Sequence, residues 1–188
     1  MSVLQAFLNL SAAFGLSASA GLNAYIPLLV IALVDRLTDG VIDLQGPWVW
    51  LSHWWTIGVL TFLLLVETLA DKVPVVNSIN DVIQTVVRPT AGAILFAATT
   101  RAIHIHPVVA AICGVLVAGT VHAAKATGRL LLSATTGGTA NPIVSTVEDV
   151  ISAVTSVLSV VAPYLVLAFI VLVISRILWG ILRKRSRA

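Results

Sequence analysis

The chain has 188 residues, of which 59% are hydrophobic and only 10% are charged. Soluble domains are about half apolar and about a quarter charged, so this composition excludes an ordinary soluble protein and indicates one transmembrane domain over residues 1–188. The net charge of +3 comes with a basic cluster at residues 183–188. Such a cluster is typical of a cytoplasmic anchor beside a membrane helix, and it argues against a nucleic-acid-binding surface.

The first predicted membrane helix covers residues 3–34 and is interrupted near its middle. Residues 21–23 and Pro27 supply the interruption, because glycine loosens a helix and proline removes a backbone donor. Residues 18–20 resemble a signal-peptide cleavage site, but no Lys or Arg precedes them and apolar sequence follows, which favours a retained helix. Unwound backbone in a membrane protein lines a cavity or is buried against protein, so Asn23 is a candidate polar contact.

Five further helices follow a loop at residues 35–51, which ends in a tryptophan-rich stretch typical of a membrane interface. Each is an apolar run close to the length of about twenty residues that crosses a bilayer. Their predicted ranges are 54–70, 82–102, 107–124, 142–161 and 163–182. The predicted fold is all-α, a polytopic transmembrane helix bundle with about six crossings.

The distribution of Lys and Arg predicts the orientation. The cluster at 183–188 places the C-terminus in the cytoplasm. Basic residues on or near that side are Lys72, Arg88, Lys125 and Arg129, and those on the other side are Arg36 and Arg101. Six crossings with both termini cytoplasmic fit this bias.

An internal repeat is also predicted. Residues 76–83 read VNSINDVI and residues 144–151 read VSTVEDVI. The second and third helices would then repeat as the fourth and fifth, in units of about 54–102 and 107–161. Two copies running in the same direction imply a pseudo-two-fold axis along the membrane normal, as in some transporters.

Three groups of residues resemble one family of bacterial membrane proteins. The first is GLNAYIPLL at 21–29, and the second is ADKVP at 70–74 with Asp81, Gln84, Thr85 and RPTAGA at 88–93. The third comprises His122, Lys125, Ala126, Arg129, Leu130, Gly137, Gly138, ANP at 140–142, Ser145, Glu148 and Asp149. Together they resemble the family catalogued as domain of unknown function 4126. The resemblance implies an integral membrane location, which we expect to be the bacterial cytoplasmic membrane, and it implies no activity.

Charged and polar side chains gather at the predicted cytoplasmic ends of the four repeated helices. Residues three, four or seven apart share a helix face, and charges near the bilayer centre cost about 2.5–3.5 kcal/mol each, so these groups should face one another or water. The candidate contacts for a solute or ion, with Asn23, are Glu67, Asp71, Asp81, Gln84, Arg88, His122, Lys125, Glu148 and Asp149. Desolvation predicts that Arg88 and Lys125 each pair with a carboxylate. Glu67 and Glu148 are the predicted principal contacts.

Other interpretations of these residues stay open. The near balance of acids and bases suits a self-neutralising ion-pair network. Ser78 and Asp81, like Thr146 and Asp149, have the spacing of a capping box. Whether a metal binds the carboxylates is also open: oxygen ligands suit Mg²⁺, Mn²⁺ or Ca²⁺, but no tight ligand spacing is present and the neighbouring bases disfavour a cation.

Two loop segments have less specific interpretations. The glycine-rich residues 135–139 lack the lysine signature of a phosphate-binding loop, which favours a tight connection. His104 and His106 lie beside Pro107, where loop histidines are expected.

Three classes of function compete. A small channel or carrier for an ion or small polar solute accounts for the repeat, the broken helix and the polar stripe. A structural or assembly membrane protein accounts for helices rich in small residues. An enzyme acting on a lipid head group is disfavoured, because the sequence has no catalytic, nucleotide or cofactor motif. The expected partners are membrane lipid and a small ion or polar solute, with no nucleic acid and no cofactor. The sequence leaves a monomer and a homo-oligomer both open.

Overall fold

The computed structural model describes residues 3–38, 42, 44, 46–71, 74–100, 104–137 and 139–163, and beyond these 165, 168–169, 171–176 and 179. Across these residues the regular structure is helical, as predicted. The elements are α1 (Val3–Leu22), α2 (Tyr25–Leu37), a short 3-10 helix (Gly46–Ser52), α3 (Trp54–Ala70), α4 (Pro74–Thr100), α5 (Pro107–Thr136) and α6 (Asn141–Val161).

Four helices are long and apolar enough to cross a membrane: α1, α4 over Asn80–Thr100, α5 and α6. The 3-10 helix and α3 form a fifth candidate, bent by 61° between its two parts. The predicted helix at 163–182 is described only in part, and its described residues are helical, whereas the basic tail at 183–188 falls wholly outside the described residues. Four to five candidate spans are therefore present in the described part of the chain, and six crossings stay a prediction.

Helix boundaries differ from the predicted ones at two places. α4 begins at Pro74 rather than at residue 82. Proline is well tolerated in the first turn of a helix, because the backbone N–H that it lacks would have no partner within the helix there. α5 continues to Thr136 rather than ending at residue 124, and it stops where Gly137 takes the left-handed conformation at φ 62°.

The longer helices correct the capping interpretation. Asp81 lies seven residues into α4 and Asp149 lies eight residues into α6, so neither residue is at a helix start. The Thr146 hydroxyl donates to the carbonyl of Pro142 in its own helix rather than capping a terminus. The interpretation was wrong because Ser, Thr and Asp spacing alone does not distinguish a helix start from a polar face inside a helix.

Helix α1 lies in the centre of the bundle and packs against α4, α5 and α6, whereas α2 packs against α3 and α6. α4 and α5 cross with their backbones in contact at Gly92 and Gly114. A Cβ atom added at Gly92 would lie 2.5 Å from the Ala118 Cβ and 2.7 Å from the Gly114 carbonyl oxygen. Small residues at such crossings let membrane helices approach closely.

Buried serines join α1 to its neighbours. The Ser19 hydroxyl lies 2.8 Å from the hydroxyl of Ser152 and 2.6 Å from that of Ser156 on α6. The Ser17 hydroxyl donates to the carbonyl of Gly92 on α4 at 2.9 Å. Hydrogen bonds of this kind hold helices together where water is absent. The C-terminal end of α1, which these hydrogen bonds join to α4 and α6, lies beside the charged residues described next.

Candidate functional site

Two neighbouring groups of charged side chains lie where α3, α4, α5 and α6 meet the end of α1. The first, here called the Arg88 cluster, consists of Tyr25, Glu67, Gln84, Arg88 and His122. The second, here called the Arg129 cluster, consists of Asp71, Asp81, Lys125, Arg129 and Glu148. Ion pairs cross between helices in both clusters, so the polar faces predicted for separate helices meet in space.

Arg88 is the most deeply buried charge, with 0% of its surface exposed. Its Nη2 donates to Glu67 Oε1 at 2.9 Å, and its Nη1 lies 3.1 Å from His122 Nδ1. A guanidinium group can only donate, so His122 Nδ1 accepts and the imidazole is neutral, with its proton on Nε2. That nitrogen lies 3.2 Å from the hydroxyl of Thr85. The Arg88 cluster is therefore one positive and one negative charge surrounded by neutral polar groups.

Three polar atoms of the Arg88 cluster are buried without a hydrogen-bond partner among the residues whose side chains are described: Glu67 Oε2, Gln84 Oε1 and Arg88 Nε. Gln84 precedes Arg88 by one helical turn and hydrogen-bonds the Tyr25 side chain, which in turn lies within electrostatic range of Glu67 and Arg88. An unsatisfied buried donor or acceptor costs about 1–3 kcal/mol. With respect to the described residues, two acceptors and one donor of the cluster thus have unused hydrogen-bonding capacity.

Arg129 is the centre of the second cluster. Its Nη2 contacts Glu148 Oε2 at 2.8 Å and Asp71 Oδ2 at 3.3 Å, and its Nη1 lies 3.5 Å from Asp81 Oδ1. One guanidinium therefore joins carboxylates from three different segments. Its planar fork of donors suits this role better than the single ammonium of a lysine.

Asp71, just after the end of α3, is held by the largest set of partners. It accepts hydrogen bonds from the Ser145 hydroxyl and, at 3.1 Å, from Asn80 Nδ2. Burial alone would raise the pKa of this carboxyl, but the Ser145 hydrogen bond and the charges of Arg129 and Lys125 outweigh burial and hold the pKa below its usual value. Asp71 therefore stays ionised at neutral pH.

The break between α1 and α2 is connected directly to these charges. Lys125 Nζ donates to the carbonyl of Leu22, the last residue of α1, at 2.7 Å and pairs with Glu148 Oε2 at 2.9 Å. Asn23 Oδ1 accepts from the backbone N–H groups of Tyr25 and Ile26 at 3.0 and 3.2 Å. At the break, the C-terminal carbonyl of α1 and the first N–H groups of α2 are thus hydrogen-bonded by side chains.

Asn23 also reaches α6, where its Nδ2 donates to Asp149 Oδ1 at 2.9 Å. Asp149 has no basic side chain within 4.0 Å among the residues whose side chains are described. Asp149 therefore differs from the other candidate carboxylates in its partner: its observed hydrogen bond comes from a neutral amide rather than from a base.

The structure brings all ten predicted candidates into this connected region. The predicted pairing of Arg88 and Lys125 with carboxylates is confirmed by the contacts to Glu67 and Glu148. Glu67 and Glu148 fall in different clusters, each already paired with a base. The sequence interpretation missed Tyr25, Asn80 and Thr85 as contacts, although each adjoins a candidate or lies two residues from one.

Among the described residues, no three His, Cys, Asp or Glu side chains are arranged to hold a metal ion. The His122 ring nitrogen Nδ1 faces the Arg88 guanidinium rather than a carboxylate. Arg88, Lys125 and Arg129 contact one oxygen each of Glu67, Glu148, Asp71 and Asp81, and these positive charges would repel a cation.

The opposite end of the bundle has an open cavity of about 580 Å³, lined by Pro47, Trp48, Ala97, His104, Ile105, His106 and Pro107. His104 takes a left-handed conformation at φ 56°, and His106 caps α5 by accepting from the backbone N–H of Val108 at 3.3 Å. Both histidines lie in the connection before α5, as predicted. The glycine-rich segment is likewise a tight turn where it is described, with Thr139 N–H bonded to the Thr136 carbonyl.

The model of a family described as "Domain of unknown function (DUF4126)" matches residues 10–183. Neither the curated proteins nor the solved structures contain a match to the chain.

Proposed function

The chain belongs to this family, the domain of unknown function DUF4126, and we propose that it is a small membrane channel or carrier for an ion or small polar solute. The two clusters form its polar site. Its location would be the bacterial cytoplasmic membrane with both termini in the cytoplasm.

The observation that carries this proposal is the junction between the broken helix and the charges. Interrupted helices inside membrane proteins supply main-chain groups to substrates and coupling ions in several transporter folds. Here the interruption at Asn23 contacts Lys125 through Leu22 and contacts Asp149 directly. A change in the protonation or occupancy of these side chains would be transmitted to the α1–α2 junction.

The site would lie between two copies of a helical hairpin. We take residues 54–102 and 107–161 as those copies, on the strength of the matching segments at 76–83 and 144–151. Superposing α3–α4 on α5–α6 in an experimental structure tests the repeat. A rotation about the membrane normal is the expected relation, and opposite polarity of the hairpins would contradict it.

A structural role is the second candidate, and it is favoured by how thoroughly the charges are paired. Glu67, Asp71 and Glu148 each contact a base, as a network built only for stability requires. Such a network would hold four segments of the chain together without transporting a solute. The unsatisfied atoms at Glu67 and Gln84 favour transport over this role, because a purely structural network gains nothing from them.

Flux measurements in proteoliposomes separate the two candidates. Purified protein is tested against a panel of monovalent ions and small neutral solutes, with empty liposomes as the baseline. We expect faster flux of at least one solute, lowered by Glu67→Gln and Glu148→Gln, each of which keeps size and removes charge. Thr127→Ala is the matched control, because Thr127 is exposed on α5. Wild-type flux equal to that of empty liposomes across the panel would contradict the transport role and leave the structural role as the remaining candidate.

A further inference from the structure

We propose that the Arg88 cluster binds a small uncharged solute that has both N–H or O–H donors and an oxygen acceptor, such as urea or glycerol. This inference rests on the proposed transport and narrows it to one class of solute. Its basis is the unused hydrogen-bonding capacity of three buried side chains, Glu67, Gln84 and Arg88.

The charges of the Arg88 cluster favour a neutral solute. Arg88 and Glu67 neutralise each other across 2.9 Å, and both are almost completely buried, at 0% and 2% exposure of their side chains. Gln84 and Tyr25 carry no charge at neutral pH, and His122 is neutral because its Nδ1 accepts from Arg88. The cluster therefore sums to zero, and a bound ion would bring an uncompensated charge into a region of low dielectric.

The three atoms without a described partner include both acceptors and a donor. Glu67 Oε2 and Gln84 Oε1 accept hydrogen bonds, and Arg88 Nε donates one. A metal cation would use the acceptors and be repelled by Arg88, and an anion would use the donor and be repelled by Glu67. A molecule that donates twice and accepts once matches all three atoms without repulsion.

The Arg88 cluster adjoins the break between α1 and α2. Gln84 hydrogen-bonds Tyr25, which begins α2 immediately after the helix break. Tyr25 N–H in turn donates to Asn23 Oδ1. A solute at Gln84 would therefore lie beside the junction through which the two halves of the broken helix are joined.

The test uses the full chain in proteoliposomes. Entry of urea and of glycerol is followed by stopped-flow light scattering, and potential-sensitive dyes report K⁺, Na⁺ and Cl⁻ flux. We expect accelerated urea or glycerol entry and ion flux equal to that of empty liposomes. Gln84→Leu removes one acceptor and should slow entry about fivefold, the effect of one lost hydrogen bond. Val86→Leu is the control, since Val86 on α4 is 70% exposed.

Each remaining outcome has a defined meaning. Ion flux without urea or glycerol entry would overturn this inference and leave the proposed transport intact. The absence of any flux above empty liposomes would overturn both. Gln84→Leu protein that is folded and transports as fast as wild type would show that the Arg88 cluster is not the site. If Gln84→Leu does not fold, Gln84→Glu keeps the size and adds a charge, and it should reduce entry of the neutral solute. Unchanged solute entry in the Gln84→Glu variant would also show that the Arg88 cluster is not the binding site.

Discussion

The Nζ atom of Lys125 lies 2.7 Å from the main-chain carbonyl oxygen of Leu22, at the end of α1. The C-terminus of a helix carries partial negative charge, so an ammonium group placed there stabilises it. The same atom lies 2.9 Å from Glu148 Oε2 on α6. One buried lysine therefore stabilises the broken helix and compensates a carboxylate on a third helix.

Replacing Lys125 by methionine should lower the free energy of unfolding by about 3 kcal/mol, because a buried carboxylate loses one of its bases and a carbonyl loses its donor. Thermal unfolding in detergent, followed by circular dichroism, measures the change. Thr127→Ala, two residues further along α5 and exposed, should stay within about 0.5 kcal/mol of wild type. Equal unfolding midpoints for Lys125→Met and wild type would show that Lys125 does not stabilise the junction.

The Arg88–Glu67 pair should show strong coupling in a double-mutant cycle. Arg88→Leu leaves Glu67 buried without its base, and Glu67→Leu leaves Arg88 without its carboxylate, so each should cost about 3–5 kcal/mol. The double variant should cost less than the sum, since neither charge is left unpaired. Chemical unfolding of the four proteins gives the coupling energy, and strictly additive effects would contradict a direct interaction.

Stability should fall in acid partly through Asp71. Its pKa in the folded state lies below the usual value of 3.8, so its contribution is fully present above that value and is lost as the pH falls through the folded pKa. Asp71→Asn should therefore be less stable than wild type at neutral pH and should lose less stability on acidification. The measurement is the unfolding midpoint from pH 7 downward.

The Ser145 hydroxyl contributes to the low pKa of Asp71, so Ser145→Ala should move the acid limb of the stability profile to higher pH. Thr146→Ala is the matched control, because the exposed Thr146 hydroxyl bonds only its own helix. Identical acid limbs for Ser145→Ala and wild type would exclude a role for this hydrogen bond.

The crossing of α4 and α5 should not tolerate a methyl group. Gly92→Ala places a Cβ 2.5 Å from that of Ala118, so the helices must separate and the protein should lose about 1–3 kcal/mol. A Cβ at Gly128, also on α5, meets no atom of the described residues within 4 Å, and Gly128→Ala should be neutral or stabilising by up to about 1 kcal/mol. Similar unfolding midpoints for the two variants would contradict the close crossing.

Apolar run length and the broken first helix could be predicted from the sequence, because each depends on residues close together in the chain. α3 begins and ends where it was predicted, and the break in the first helix lies at Asn23. The starts of helices bearing polar faces could not be predicted in the same way. Asp81 lies inside α4, and its carboxylate contacts Arg129 on α5, which lies far away in the sequence.

The residue types of the site were predictable, and their pairing was not. Spacing along each helix shows that Arg88 and Lys125 face inward, and desolvation requires a carboxylate for each. Which carboxylate each base meets depends on how the helices cross, which the Gly92–Gly114 contact sets. For the same reason the neutral amide partner of Asp149 could not be deduced from its neighbours in sequence.

The length of α5 relates the depth of the two clusters to the thickness of the surrounding lipid. Its 30 residues extend about 45 Å at about 1.5 Å per residue, which exceeds a hydrocarbon layer of about 30 Å. Counted from Pro107, His122 lies about 22 Å along the helix axis and Arg129 about 33 Å along it. With Pro107 at one edge of the hydrocarbon layer and α5 upright in it, the Arg88 cluster would lie within the acyl-chain region and the Arg129 cluster at the level of the head groups. Longer acyl chains would draw Arg129 and its carboxylates into hydrocarbon, so the lipid composition of the membrane acts directly on the charges that hold this end of the bundle together.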